Sequence, residues 1–242
     1  MDLITPPKIL VLHGDGINCE GETKKALEAA GANVVLKTIK DLTEDQRALE
    51  LSQAMIIPGG FSFGDELASG RVLALKIKYQ LGEKFYDYAK KNPILGICNG
   101  FQVLVEMGLL PNSEKKEKKL SLTHNSHGKF INKWVSIKHH PTPCIFTKEL
   151  SAREFLLPVR HAEGRVFTNA LDELFAKNQI PLCYNEDING SMGNIAGICN
   201  ETGTIFGLMP HPEAASFLEQ LPSKQSPIGI EIFHNLLNYL LF

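Results

Sequence analysis

Apolar residues fall into short runs separated by longer amphipathic stretches. The run at residues 9–12 is partly β-branched and ends at His13-Gly14-Asp15-Gly16, as a buried strand feeding a glycine loop would. Residues 20–30 carry good helix formers with Gly31 as a stop, 33–39 read as a second strand, and 43–51 as a helix with Thr43 as its N-cap. A third strand is expected at 54–57, closed by Pro58-Gly59-Gly60. An amphipathic stretch at 71–91, hinged near Gly82, leads to a fourth strand at 93–97 and a helix starting at 101–107. Strand and helix alternating over short connections predict a parallel sheet covered on both faces. Beyond a mixed charge run at 113–119, read as a solvated segment, the pattern turns strand-rich at 130–137, 155–159, 164–167, 182–184, 195–199 and 204–209. That change predicts antiparallel additions to the sheet, and 228–241 reads as a closing apolar helix. With no linker or repeat, residues 1–242 are expected to form a single α/β domain.

Composition narrows the partners. The 25 basic and 27 acidic residues leave a formal charge of −2, which gives no electrostatic reason to expect nucleic acid or an anionic membrane. No run approaches the roughly 18 apolar residues of a membrane span, and the start lacks a leader pattern, so a cytoplasmic protein is expected. Five cysteines, an odd number without Cys-x-x-Cys spacing, argue against a disulfide framework and a structural zinc site, so no metal is expected.

Three segments carry chemistry. Ile94-Leu95-Gly96-Ile97-Cys98-Asn99-Gly100-Phe101-Gln102 is an apolar strand running through Gly-x-Cys-x-Gly into a helical pattern, the layout of a nucleophile elbow. Gly96 and Gly100 would let strand and helix backbones nearly touch, and the helix N-terminus offers positive potential to an anionic sulfur. A cysteine nucleophile needs a base, and His211, between Pro210 and Pro212 at the end of a strand-like run, is the candidate. Glu213, two residues on, would face the same way in extended backbone and orient the imidazole. Pro58-Gly59-Gly60-Phe61-Ser62-Phe63-Gly64-Asp65 follows a strand, and its glycines could let a backbone N–H of this loop complete an oxyanion hole with the amide of Asn99. His161-Ala162-Glu163 repeats the His-x-Glu spacing and is the rival to His211. Gly14-x-Gly16 lacks the third glycine of a dinucleotide fingerprint, and no phosphate-binding Gly-Lys-Ser/Thr loop occurs. These residues leave open a cysteine peptidase or other hydrolase on this elbow and a regulatory subunit with a relic site.

In this order and spacing, PGGFSFGD, GICNGFQ and the late PHPE resemble the triad-type (class I) glutamine amidotransferases. GDGINCE, NSHGKFINKWV, PVRHAEGRV and NGSMGNIAGICN resemble, more narrowly, the glutaminase subunits of phosphoribosylformylglycinamidine synthases. The resemblance implies a flavodoxin-like, mostly parallel sheet flanked by helices with antiparallel additions. It implies Cys98 as nucleophile, His211 as base, Glu213 as its orienter, Gly60 and Asn99 as oxyanion donors, and Gln102 near bound L-glutamine. It also implies a large synthase subunit and a small accessory subunit as partners, with ATP and Mg²⁺ on the synthase and no cofactor in this chain. The pattern departs in two places: Ala214 stands where Arg is usual after PHPE, and residues 66–71 after SFGD are less usual. A different synthase as recipient of the ammonia is the alternative within the family.

Overall fold

The two halves of the apolar pattern become two halves of one sheet. The computed structural model describes residues 5–14, 16–45, 47–65, 69–114, 118–222 and 225–242. The charge run lies partly outside these, as do residues 66–68 of the unusual segment after SFGD. Strands β1 (Lys8–Leu12), β2 (Asn33–Lys37), β3 (Ala54–Ile57) and β4 (Ile94–Ile97) are parallel, in the order β2-β1-β3-β4, and β11 (Ile205–Leu208) joins them in parallel beside β4. From there the sheet turns antiparallel through β10 (Ile195–Cys199), β9 (Leu182–Tyr184), β6 (Ile131–His139) and β7 (Glu154–His161). This is the expected mixed sheet with a flavodoxin-like parallel portion. Strands β5 (Leu120–His124) and β8 (Glu163–Thr168) form a separate antiparallel pair.

Every residue of β3, β4, β10 and β11 is buried, because helices cover both faces of the sheet. Helix α1 (Glu20–Ala30) ends at Gly31, whose φ of 106° lets its N–H reach back to the carbonyls of Leu27 and Glu28. The expected helix at 43–51 is replaced by two short ones, α2 (Ile39–Glu44) and α3 (Arg47–Glu50). Thr43 is therefore not an N-cap. Thr38 is, through a capping box with Asp41, and the Thr43 hydroxyl donates back to Ile39 inside the helix. Helices α4 (Arg71–Gln80) and α5 (Glu83–Lys91) hinge at Gly82 as expected.

Helix α6 (Asn99–Glu106) packs tightly on the sheet. A Cβ at Gly100 would lie 1.9 Å from the Ile57 carbonyl oxygen, and one at Gly207 would lie 2.1 Å from the Phe101 ring. Two absent side chains thus seat the helix that begins at Cys98 directly over β3 and β11. Helix α7 (Leu171–Ala176) and strand β5 were not anticipated; α8 (Gly229–Leu241) was, and it packs against α1.

Candidate active site

Cys98 leaves β4 with φ 52° and ψ −103°, a strained backbone for a residue with a Cβ. Its N–H donates to the Leu208 carbonyl at 2.7 Å, so the turn is clamped to β11. Because β4 and β11 pair in parallel with Ile97 opposite Leu208, the chain segments leading to Cys98 and His211 leave the sheet at the same edge. The Cys98 Sγ lies 3.7 Å from the Arg160 carbonyl oxygen, and the His211 N–H donates to the Pro158 carbonyl at 2.9 Å. Both partners are on β7, which folds over the site from the antiparallel half.

The His211 Nδ1 is 2.6 Å from Glu213 Oε1, and the two side chains are 2% and 0% exposed. Glu213 reaches the ring from a 3-10 turn (Pro212–Ala215), a difference from the extended geometry expected of His-x-Glu. That turn is braced by Gln220, whose Nε2 donates to the Glu213 carbonyl and whose Oε1 accepts from Ser216 N–H and Phe217 N–H. Burial works against a charged imidazole, but the Glu213 carboxylate, with Cys98 and Cys19 adjoining, outweighs it and holds His211 well above its ordinary value. With Nδ1 paired to Glu213, the buried Nε2 has no hydrogen-bond partner among the described residues, leaving it available for proton transfer.

His161 is also buried, but its surroundings differ. Its Nδ1 is 3.1 Å from the Asn125 side-chain oxygen, and burial lowers its pKa to about 3, so the ring stays neutral. Glu163 turns elsewhere: its carboxylate accepts from Ser69 N–H at 3.3 Å and sits 3.5 Å from His124. The structure brings His211 and Glu213 together and keeps His161 and Glu163 apart.

Gly60 lines a cavity of about 250 Å³ with Asn18, Cys19, Phe61, Cys98, Phe130, Asn132, Arg160 and His211. Its neighbour Gly59 has no room for a side chain: a Cβ there would stand 2.7 Å from His211 Cε1, 3.3 Å from Cys19 Sγ and 3.4 Å from Cys98 Cβ. Asn99 and Gln102 tie the elbow to its surroundings. The Ser62 N–H donates to Asn99 Oδ1, Asn99 Nδ2 donates to Gln102 Oε1, and Gln102 Nε2 donates to the Glu163 carbonyl. Both ends of the Gln102 amide are thus engaged within the protein. Near Ala214 a positive charge is still present, because Arg160 lines the same cleft and pairs with Glu22 at 3.7 Å.

Sequence reasoning missed Cys19, whose Sγ lies 4.0 Å from His211 Nδ1. The signal available was a cysteine immediately before Glu20–Ala30, where Ser, Thr, Asp or Asn is the usual choice. Cys19, His211 and Glu213 offer metal-ligating atoms within 4.8 Å of one another. The 2.6 Å between Nδ1 and Oε1 is nevertheless a hydrogen-bond spacing, well under the roughly 3.3 Å separating two ligands on a tetrahedral zinc ion. The arrangement suits proton transfer better than metal binding.

The family model for the CobB/CobQ-like glutamine amidotransferase domain matches residues 6–240. A phosphoribosylformylglycinamidine synthase subunit PurQ from Treponema denticola is 34% identical, covering 97% of this chain and 99% of its own length. The protein of the same description from Methanococcus maripaludis is 37% identical over 90% of this chain and 86% of its own. Among solved structures, a chain of the Thermotoga maritima PurLQS structure superposes with a TM-score of 0.79 at 34% identity, covering 98% of this chain and 100% of that one. A match this complete, on a chain whose elbow cysteine, buried His–Glu pair and glycine loop meet at one sheet edge, places it in the CobB/CobQ-like glutamine amidotransferase family.

Proposed function

We propose that this chain is the glutaminase subunit of a phosphoribosylformylglycinamidine synthase, hydrolysing L-glutamine to glutamate and ammonia as a single domain in the cytoplasm. The ammonia passes to a large synthase subunit, with a small accessory subunit in the assembly. The synthase subunit uses ATP and Mg²⁺ to convert phosphoribosylformylglycinamide to phosphoribosylformylglycinamidine, and this chain needs no cofactor of its own. The observation that carries the chemistry is the strained Cys98 at the edge where His211, paired with Glu213 at 2.6 Å, leaves the sheet. Among the described residues no helix is long and apolar enough to cross a membrane.

In this mechanism Cys98 has already given its proton to His211 Nε2, and the thiolate attacks the side-chain carbonyl carbon of glutamine. The tetrahedral oxyanion is held by the amides of Gly60 and Asn99, each such donor contributing about 3 kcal/mol in the transition state. His211 returns the proton to the nitrogen as the C–N bond breaks, releasing ammonia and leaving a γ-glutamyl thioester. Water then attacks the thioester, its proton taken by His211, and glutamate leaves as the Cys98 thiolate is regenerated.

The test is glutamine hydrolysis by the Cys98→Ala protein, alone and with the synthase subunit. Activity is expected to vanish while the melting temperature holds; a variant with full activity would overturn the assignment. Failure of any synthase to accept ammonia from the active wild-type chain would leave the glutaminase and remove the partner.

A further inference from the structure

Cys19 breaks a local rule. It is the residue before α1, where an oxygen-bearing side chain would accept from the free N–H groups of the first turn, yet it makes no such bond. Its thiol donates to Asn18 Oδ1 at 3.4 Å, and its sulfur faces the Nδ1 edge of His211 at 4.0 Å. The backbone fixes that direction. Cys19 N–H and Asn18 N–H both donate to the Gly59 carbonyl, Ile17 bridges to Gly60, and Thr23 N–H donates to the Cys19 carbonyl. The segment bearing the second thiol is therefore stitched to the glycine loop that lines the cavity, and Cys19 Sγ, Cys98 Cβ and His211 Cε1 converge on the point above Gly59 that a side chain would fill.

We propose that Cys19 is a positioning residue for the glutaminase reaction: its sulfur covers the Nδ1 edge of His211 with a group that neither competes for the ring proton nor admits water. An oxygen at this place would be a second strong acceptor beside Glu213 Oε1 and could draw the Nδ1 proton off the carboxylate. A smaller group would let water into the contact between Nδ1 and Glu213. Sulfur is large, weakly accepting and poorly hydrated, so the ring keeps one orientation with Nε2 directed to its proton-transfer partner. The sequence thus gives up a helix cap for a catalytic contact, a local inconsistency of the kind expected at functional sites.

The inference rests on the glutaminase reading above, and its test separates the two. Wild type, Cys98→Ala, Cys19→Ala and Cys19→Ser are compared for steady-state glutamine hydrolysis in the assembled synthase and for thermal melting. Active wild type and inactive Cys98→Ala establish the reaction first; if they do not, the reading itself fails and this inference falls with it. Given that result, Cys19→Ser should melt close to the wild-type temperature, because the fixed backbone keeps its hydroxyl facing His211 rather than the first turn of α1, while kcat falls about tenfold with KM within about twofold. Cys19→Ala should lose kcat similarly with a slightly lower melting temperature. In proton NMR, the downfield imidazole Nδ1 resonance of His211 should shift or broaden in Cys19→Ser. A Cys19→Ser protein with wild-type kcat, a rise in KM at constant kcat, or an unchanged Nδ1 resonance would each overturn the proposal. If Cys19→Ala fails to fold, Cys19→Ser alone decides.

Discussion

The parallel and antiparallel halves of the sheet do different work at the same site. The parallel half supplies the strained thiol and the glycine loop, each at the carboxyl end of a strand. The antiparallel half supplies backbone: the Pro158 carbonyl holds His211, and the Arg160 carbonyl sits against Cys98. His211, the proposed base, comes from the seam, at the end of β11, the last parallel strand and the first to carry an antiparallel neighbour. Reactive groups placed on one architecture and braced by another can be tuned separately, because the bracing strand presents carbonyls to the site and its side chains remain available for other contacts.

The sharpest way to break this comparison is to truncate a side chain on each part. His211→Ala at the seam is expected to lower kcat for glutamine hydrolysis by about 10⁴-fold or more, the same loss expected of Cys98→Ala on the parallel side. His161→Asn, on the antiparallel side, should cost less than about tenfold, since an amide can still meet Asn125. The reverse ranking would move the base to β7. Glu213→Gln comes next, with an expected loss of about 10²–10⁴-fold. Removing the carboxylate that raises His211 also lets the imidazolium lose its proton at lower pH, so the alkaline limb of the kcat/KM profile should move down; an unmoved limb would detach Glu213 from the ring.

Stability should divide along the same line. Gly100→Ala drives a methyl into the Ile57 carbonyl and should destabilise by about 3 kcal/mol or more in denaturant unfolding. Gly128→Ala meets nothing within 4 Å and bears only a φ of 68°, so about 1 kcal/mol is expected. A smaller effect separates the histidines. His161 is neutral in the fold down to about pH 3, whereas an unfolded chain protonates it near the ordinary histidine value of about 6.5. Its folded pKa is depressed, so the stability it allows is present above that unfolded value and is lost as pH falls toward 3. His161→Gln should flatten the acid side of the stability–pH curve, and an unchanged slope would place the loss in other groups.

The parallel half was legible in the sequence because its strands are uninterrupted apolar runs that stop at glycines: residues 54–57 and Cys98's strand were placed nearly as they stand. The His-x-Glu pair was legible too, although its geometry is a turn. What stayed hidden depends on distant contacts. The boundary at Thr38 was lost because Thr43 and Thr38 are equally good caps locally, and only the end of β2 decides between them. Strand β5 pairs with β8 across the separate sheet, with no apolar alternation strong enough to announce it. Gln102 was placed near substrate by resemblance, and its engagement by Asn99 and Glu163 could not be read from spacing. Cys19 looked like one more small apolar residue until the fold set it beside His211.

One consequence follows from the pairing of β4 with β11. Cys98 and His211, the proposed nucleophile and base, lie far apart along the chain and become neighbours only when β11, the last strand, has docked against β4. A nascent chain emerging from the ribosome therefore carries an unassisted cysteine through most of its synthesis. The proposed reactive centre cannot form before β11 has been synthesised and has met β4.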